Sequence, residues 1–161
     1  MSPEEKIFIF DLDDTLYDRY SQLDETYKNL PNIRPFQDTI PTLKAIHGKK
    51  ILVSRGDKSI QDKKIDVLGI RDFFDEIKIC SKTEEKKEII EKIMRNNKLK
   101  NKKNIIVVGD RIDAEIRYGN MLGATTILLS YGKYKDLKPK DAFEMPTYTI
   151  KKIGELQKLI Q

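Results

Sequence analysis

The chain has no tryptophan, one cysteine and one histidine among its 161 residues. A lone Cys80 closes no intrachain disulfide and builds no Cys-x-x-Cys metal site. His47 precedes Gly48 and a lysine pair, so it reads as the end of a helix. A Ser-His-Asp mechanism would have to run through that one imidazole and is set aside. No apolar run approaches the roughly 20 residues of a membrane helix. The opening Met1-Ser2-Pro3-Glu4-Glu5 lacks a signal-peptide pattern. Together these absences predict a cytoplasmic chain with no membrane partner. Charge of one sign is also slight: 31 Lys and Arg against 26 Asp and Glu leave a net +5. The two signs are interleaved, which favours a solvated surface over a nucleic-acid-binding face. No repeat, low-complexity stretch or linker appears, so residues 1–161 read as one domain, long enough for a sizeable core.

What is present is a run of apolar residues that ends in carboxylates. Ile7-Phe8-Ile9-Phe10 has the length of a buried strand, and Asp11, Asp13 and Asp14 follow within four residues. Unpaired ionised carboxylates cannot sit inside a core, so the acids must emerge at the strand's C-terminal edge. Strand periodicity places Asp11 and Asp13 on one side, with Leu12 turned away. Two such charges repel unless a cation lies between them or one is protonated. Oxygen-only ligands suit a hard ion such as Mg²⁺. The plainer alternative is a strand followed by an acidic turn.

Short apolar runs alternate with amphipathic segments, the pattern of an α/β domain with a largely parallel sheet. The runs predict strands at 6–10, 50–53, 76–80, 104–108 and 125–129, with a short sixth over 148–150. Helices are expected from Asp38 onward, at 58–68 closed by Gly69, at 83–96 with Ile89, Ile90, Ile93 and Met94 on one stripe, at 113–121 with Ile116 and Met121 inward, and around Leu156, Leu159 and Ile160. A second strand ends in acid at Val107-Val108-Gly109-Asp110. Ligands of open α/β sheets sit at the carboxyl ends of strands near the switch point. Asp110 can therefore join Asp11 and Asp13 around one ion. Glu115, in the following turn, can reach the same ion directly or through water; Asp113 is its rival, with helix-start acid as an alternative role. At a third strand end, Ser54-Arg55-Gly56 offers a hydroxyl and backbone N–H groups to an anion. At a fourth, Lys82 leaves the strand just before a helix, where a lysine can steady phosphoryl charge.

These residues resemble the haloacid dehalogenase superfamily of phosphohydrolases. The resemblance is carried by DLDDTLYD (11–18) and VVGDRIDAEIRYGNMLGA (107–124), supported by KIDVLGIRDFFDEIKI (64–79), and runs on to TYTIKKIGELQKLI (147–160). It implies a three-layer α/β sandwich around a mainly parallel, five- to six-stranded, Rossmann-like sheet. It implies a Mg²⁺-dependent phosphomonoester hydrolase in which Asp11 is the nucleophile and forms an aspartyl-phosphate. Asp13 is then the general acid and afterwards the base. Mg²⁺ would be held by Asp11, Asp110 and the Asp13 carbonyl, with Glu115 as the supporting acid. Thr15 would support the nucleophile loop, Ser54 would bind phosphate and Lys82 would steady the phosphoryl charge. Lys82 is preferred to Lys86 because it sits at the strand-to-helix junction and leaves the apolar stripe intact.

Arg55 departs from the family pattern, which often has Asn there; it can lend the substrate a second cation or turn to solvent. Asp13 separates two chemistries of the superfamily, because a phosphate ester leaves as an alkoxide that benefits from a proton and a halide does not. Only residues 16–37 lie where members often carry a cap, which implies a nearly capless chain with an open site. Tyr17, Tyr20 and Tyr27 in that insert are expected either as a lip over the pocket or packed at the domain edge. The expected partner is a phosphorylated small molecule or macromolecular end, with oligomeric state left open. A phosphotransferase or mutase, or a phospho-accepting signalling domain, are the competing functions.

Overall fold

The computed structural model describes residues 4–160. Six strands, β1 (Ile7–Phe10), β2 (Lys49–Arg55), β3 (Glu76–Cys80), β4 (Ile105–Gly109), β5 (Thr125–Leu129) and β6 (Tyr148–Ile150), form one sheet in the order β3-β2-β1-β4-β5-β6. Every pairing is parallel. Six helices accompany them: α1 (Arg19–Gln22), α2 (Thr39–Ala45), α3 (Lys58–Leu68), α4 (Glu85–Asn97), α5 (Arg117–Met121) and α6 (Leu156–Leu159). The parallel sheet is the one that the alternating pattern implies, and the fold is the three-layer, Rossmann-like α/β sandwich that the resemblance implies. Among the described residues, no helix is long and apolar enough to cross a membrane.

The layers follow from period-two alternation along the central strands. Phe8 and Phe10 of β1, Leu52 of β2 and Ile106 and Val108 of β4 face Leu43 of α2, Ile65 and Leu68 of α3 and Leu156 of α6. Ile7 and Ile9, Ile51 and Val53, and Ile105 and Val107 face the other way, onto Ile90 and Ile93 of α4 and half-buried Tyr118 of α5. Both faces of β1 and β4 are thus apolar, as a parallel sheet covered on both sides requires. The chain runs outward through β2 and β3, then crosses β1 to begin β4. That reversal makes the carboxyl ends of β1 and β4 the switch point.

Local signals set the helix ends. The Asp57 carboxylate accepts the Ile60 N–H at the start of α3, and Gly69, at φ 69°, closes it in the left-handed conformation. The expected helix at 113–121 is different. It opens as a π-turn over Ile112–Ile116 and becomes α-helical only at Arg117. The wider turn breaks the 3.6-residue phase, so Met121 is 42% exposed rather than inward, and Gly119 is the residue that meets the sheet. A Cβ on Gly119 would lie 2.6 Å from Thr126 Cγ2 and 3.2 Å from Val107 Cγ2. Thr126 cannot easily yield, because its hydroxyl is bonded to Asn120 and accepts the Thr147 N–H. Gly119→Ala is expected to destabilise the fold by about 1–3 kcal/mol through overpacking. Chemical denaturation of the two proteins checks this, and an unchanged midpoint would show that the helix can lift off β5 freely.

Candidate active site

Phe10 pairs with Val108 in the parallel ladder, and the Asp11 N–H donates to the Val108 carbonyl at 3.0 Å. Asp11 therefore leaves β1 level with the end of β4, where Gly109 leads into Asp110. Gly109 is required there: a Cβ would lie 2.7 Å from Cγ of Glu115, which the π-turn folds back over the strand end. Carboxylate oxygens of Asp11, Asp110 and Glu115 all lie within 4.8 Å of one another, and all three residues are buried. Lys86, on the buried stripe of α4, donates to Asp11 Oδ1 at 2.9 Å and to Glu115 Oε1 at 2.5 Å.

One ammonium does not balance three buried carboxylates. Burial, the nearby Asp11 and Glu115 charges and a hydrogen bond with Asp11 hold the Asp110 carboxyl well above its ordinary value. Burial also raises Glu115, against the pull of Lys86. Burial opposes the Lys86 charge, but Asp11 and Glu115 outweigh it and keep the ammonium protonated. Glu115 Oε2 is buried and, among the described residues, has no hydrogen-bond partner. An orphaned carboxylate oxygen beside two more oxygen donors fits a hard divalent cation and does not fit a soft one.

Asp13 is not on the same side as Asp11. The chain turns directly after the strand, with Thr15 N and Leu16 N both bonded to the Leu12 carbonyl and Asp14 at φ 57°. That turn ends the strand's alternation. Asp11 is met by Lys86 from α4, and Asp13 by Lys64 from α3, on the opposite face of the sheet, at 2.9 Å. Asp13 also accepts from the Tyr17 hydroxyl and from Gln61 Nε2. Burial raises its pKa, but Lys64, Tyr17 and Gln61 outweigh that and hold the carboxylate below its ordinary value. Asp13 still lines the cleft of about 280 Å³ that the acids floor, together with Asp11, Arg55, Lys86, Asp110 and Glu115.

The other expected residues divide. Lys82 is exposed and does not line the cleft, so the lysine on the carboxylates is Lys86, one helical turn farther along. Asp113 is drawn away from the cluster by Arg111, whose guanidinium meets both its oxygens at 2.9 and 3.0 Å. Arg55 is exposed at the cleft wall, and among the described residues it forms no ion pair. Ser54 is fully buried, and its Oγ accepts from Gln61 Nε2 at 2.6 Å rather than lining the cleft. Thr15 is fully buried, with an unpartnered hydroxyl. Of the three tyrosines, Tyr20 alone lines the cleft, at 66% exposure; Tyr17 is fully buried, and Tyr27 is half-buried against Lys64. Lys86 is the rival that the sequence offers to Lys82; Gln61 and Lys64 are not singled out by it as site residues, although each is polar and falls on the apolar face of α3.

Residues 20–129 match the family model of haloacid dehalogenase-like hydrolases, a span that holds Ser54, Lys86, Asp110 and Glu115 and begins after Asp13. The chain is 31% identical over 135 residues to the glyceraldehyde 3-phosphate phosphatase of Methanopyrus kandleri, covering 80% of this chain and 58% of that one. It is 32% identical over 143 residues to the glyceraldehyde 3-phosphate phosphatase of Methanocaldococcus jannaschii, covering 84% and 61%. It thus spans about three fifths of the length of these relatives. Among solved structures, magnesium-bound YfnB from Bacillus subtilis superposes with a TM-score of 0.74 at 16% identity, over 99% of this chain and 100% of that one.

Asp110 yields a test that needs no substrate. With its folded-state pKa raised above the ordinary 3.8, unfolding releases a proton once pH passes that ordinary value. The folded state then binds more protons than the unfolded, so stability falls as pH rises from about 4 toward the raised value. A bound divalent cation removes the effect, because it needs the ionised carboxylates. The thermal midpoint in chelator should therefore fall between pH 5 and 7.5. Mg²⁺ at about 100 times its Kd should add about 2.7 kcal/mol, or about 5–10 °C, with the larger gain at pH 7.5. Equal midpoints with and without Mg²⁺ at both pH values would exclude the site.

Proposed function

The chain belongs to the haloacid dehalogenase-like hydrolases, and from that membership we propose that it is a Mg²⁺-dependent phosphomonoester hydrolase acting through an aspartyl-phosphate on Asp11. The observation that carries the reading is the Asp11 carboxylate at the mouth of the switch point, bonded to a buried ammonium and flanked by two further acids. A lone nucleophilic carboxylate would repel an anionic phosphate. Lys86 makes the approach attractive, and Asp11, Asp110, Glu115 and the Asp13 carbonyl would hold the ion. Mg²⁺, when bound, neutralises charge on the phosphoryl oxygens.

Asp11 attacks phosphorus in line with the leaving oxygen. Asp13, held as the anion by Lys64, Tyr17 and Gln61, takes up the proton of a monoanionic phosphoester and delivers it to the departing alkoxide as the new Asp11–phosphorus bond forms and the ester bond breaks. Asp13 then takes a proton from a water that attacks the aspartyl-phosphate, which releases phosphate and restores Asp11. A proton donor at this position contributes typically 10²–10⁴-fold and serves a phosphoester rather than a carbon–halogen bond. Arg55, exposed and without an ion pair at the cleft wall, serves the bound phosphoryl group or its ester. Ser54 acts one step removed, by holding Gln61. Thr15, buried behind the turn, supports the nucleophile loop.

The substrate class we propose is a small phosphorylated metabolite. Two curated relatives are named for glyceraldehyde 3-phosphate, and the cleft of about 280 Å³ suits a compound of that size. The whole chain serves as one catalytic domain. The segment between β1 and α2 holds only α1 and a 3-10 turn over Leu30–Asn32, in place of a cap that would close over the substrate.

Phosphate release from p-nitrophenyl phosphate and glyceraldehyde 3-phosphate with Mg²⁺ tests the reading. Asp11→Asn should abolish turnover, and Lys86→Met should lower kcat at least 100-fold, whereas Lys82→Met should change it less than twofold. Turnover that survives Asp11→Asn would refute the nucleophile. A phosphorylated Asp11 that persists for hours would replace the hydrolase with a phospho-accepting switch.

A further inference from the structure

Lys64 bonds none of the three clustered acids and does not line the cleft, yet its ammonium is buried, with the residue 2% exposed. We propose that Lys64 is a positioning residue for the acid–base step at Asp13, and that the short segment between β1 and α2 is the clamp that keeps it in register. The proposal rests on the reading of Asp13 as acid and base.

A buried ammonium is costly unless paired. Among the described residues Asp13 is the one carboxylate paired with Lys64, at 2.9 Å. Gln61 and Lys64 lie three residues apart, on the same face of α3 as Ile65 and Leu68. That spacing aims both polar ends at the turn beyond β1. Two donors converge on one oxygen of Asp13: Lys64 Nζ and the Tyr17 hydroxyl both reach Oδ1. Among the described residues the second oxygen, Oδ2, receives only Gln61 Nε2, at 3.2 Å, and that amide is shared with Ser54 Oγ.

The asymmetry has a chemical consequence. With Oδ1 filled by two donors, the transferable proton of Asp13 belongs on Oδ2. That proton passes to the leaving oxygen as the ester bond breaks and the Asp11–phosphorus bond forms, and the attacking water returns one to the same atom. A carboxyl free to rotate would present the wrong oxygen for much of the time. Locking Oδ1 is preorganisation of the proton-transfer geometry.

The insert supplies the rest of the lock. Tyr17 pairs as an isolated bridge with both Asp13 and Pro35, which ties the start of the segment to its end. The Lys64 ammonium lies 6.0 Å from the Tyr17 ring centre and 5.6 Å from that of Tyr27, so two aromatic faces cover the cation. Tyr27 holds φ at 58°, a left-handed backbone that a non-glycine residue adopts only when its surroundings impose it. A segment of a length that leaves the cleft open thus works from behind the acid rather than above the substrate.

The test is leaving-group dependence, measured on the full chain with Mg²⁺. kcat/KM reports phosphoryl transfer to Asp11. A p-nitrophenolate departs without a proton, and the alkoxide of glycerol 3-phosphate does not. Lys64→Met should lower kcat/KM for glycerol 3-phosphate at least tenfold more than for p-nitrophenyl phosphate. Tyr17→Phe keeps the ring and the fold while removing the second donor to Oδ1, and should shift the ratio the same way by about threefold or more. Equal losses on both esters would mean a merely structural lysine and would overturn the proposal. If Lys64→Met does not fold, an unshifted ratio in Tyr17→Phe overturns it alone. Wild-type protein inactive on both esters would instead refute the phosphatase reading, a result seen before any variant is made.

Discussion

The buried contact between Lys86 and the paired carboxylates of Asp11 and Glu115 constrains everything around it. Three charged groups at 4–7% exposure are not there for stability. Desolvation of such groups is comparable with or larger than their mutual attraction, and removing one partner typically costs about 3–5 kcal/mol because the others are left uncompensated. The arrangement persists because the fold leaves it little freedom. Lys86 continues the Ile90 and Ile93 stripe of α4, packed on β1, β2 and β4. Asp11 is pinned by its own N–H to β4, and Glu115 is folded against Gly109 by the π-turn. Even so, the cluster carries one positive charge for three carboxylates, and one oxygen of Glu115 lacks any partner. Three acids kept together with one oxygen unpartnered among the described residues fit the chemistry of a hard cation.

Sheet order converts this local chemistry into a site. In the order β3-β2-β1-β4-β5-β6, β1 has β2 on one side and β4 on the other, and the reversal of winding puts α2 and α3 on one face and α4 and α5 on the other. At the end of β1 a lysine from α3 and a lysine from α4 therefore reach nearby acids from two sides. Asp11 and Asp13, two residues apart, are assigned to separate cations by the turn at Leu12. The separation also sorts their electrostatics. Asp13 shares its cation with no other carboxylate and sits in a ring of donors, so its anion is favoured. Asp110 has no cation of its own and shares its burial with two other acids.

Much of this was legible in the chain, for reasons that also explain what was not. Apolar runs bounded by turn residues mark strands because both faces of a parallel sheet are buried, and α3 spans 58–68 as its cap and closing glycine indicate. Acids after an apolar run mark strand ends because the core cannot hold them. The lysines were misread for one reason. Lys82 reads better than Lys86 because it leaves the apolar stripe undisturbed, and Lys64 is masked by the apolar residues around it on α3. The disturbance was the signal. A lysine at i with Ile at i+4 and i+7, or Gln and Lys among Ile and Leu at i, i+3, i+4 and i+7, is a charge that the fold must bury and therefore must pair. The rotation of Asp13 away from Asp11 and the π-turn under Glu115 had no comparable mark, since both depend on backbone turns that hydrophobic periodicity does not encode.

Rigidity and access are divided along the same lines. The groups assigned to bond-making are each held by at least two contacts: Asp11 by β4 and Lys86, Lys86 by two acids, Asp13 by Lys64, Tyr17 and Gln61. The groups at the mouth are not. Arg55, Tyr20 and Lys133 line the cleft from the last residue of β2, from the four-residue α1 and from a 3-10 turn over Gly132–Tyr134, and all are exposed or half-buried. Phosphate chemistry is common to any ester that enters and requires fixed donors, while discrimination between esters depends on residues that meet the rest of the molecule. In this chain the first set is built into the sheet and its helices, and the second is carried on segments that can change without disturbing the core. The insert between β1 and α2 belongs to both: its outer residue Tyr20 faces the cleft, and its inner residues Tyr17 and Tyr27 close over Lys64. On the proposed mechanism, a substitution in that segment therefore acts on substrate entry or on proton transfer according to which side of the turn it falls.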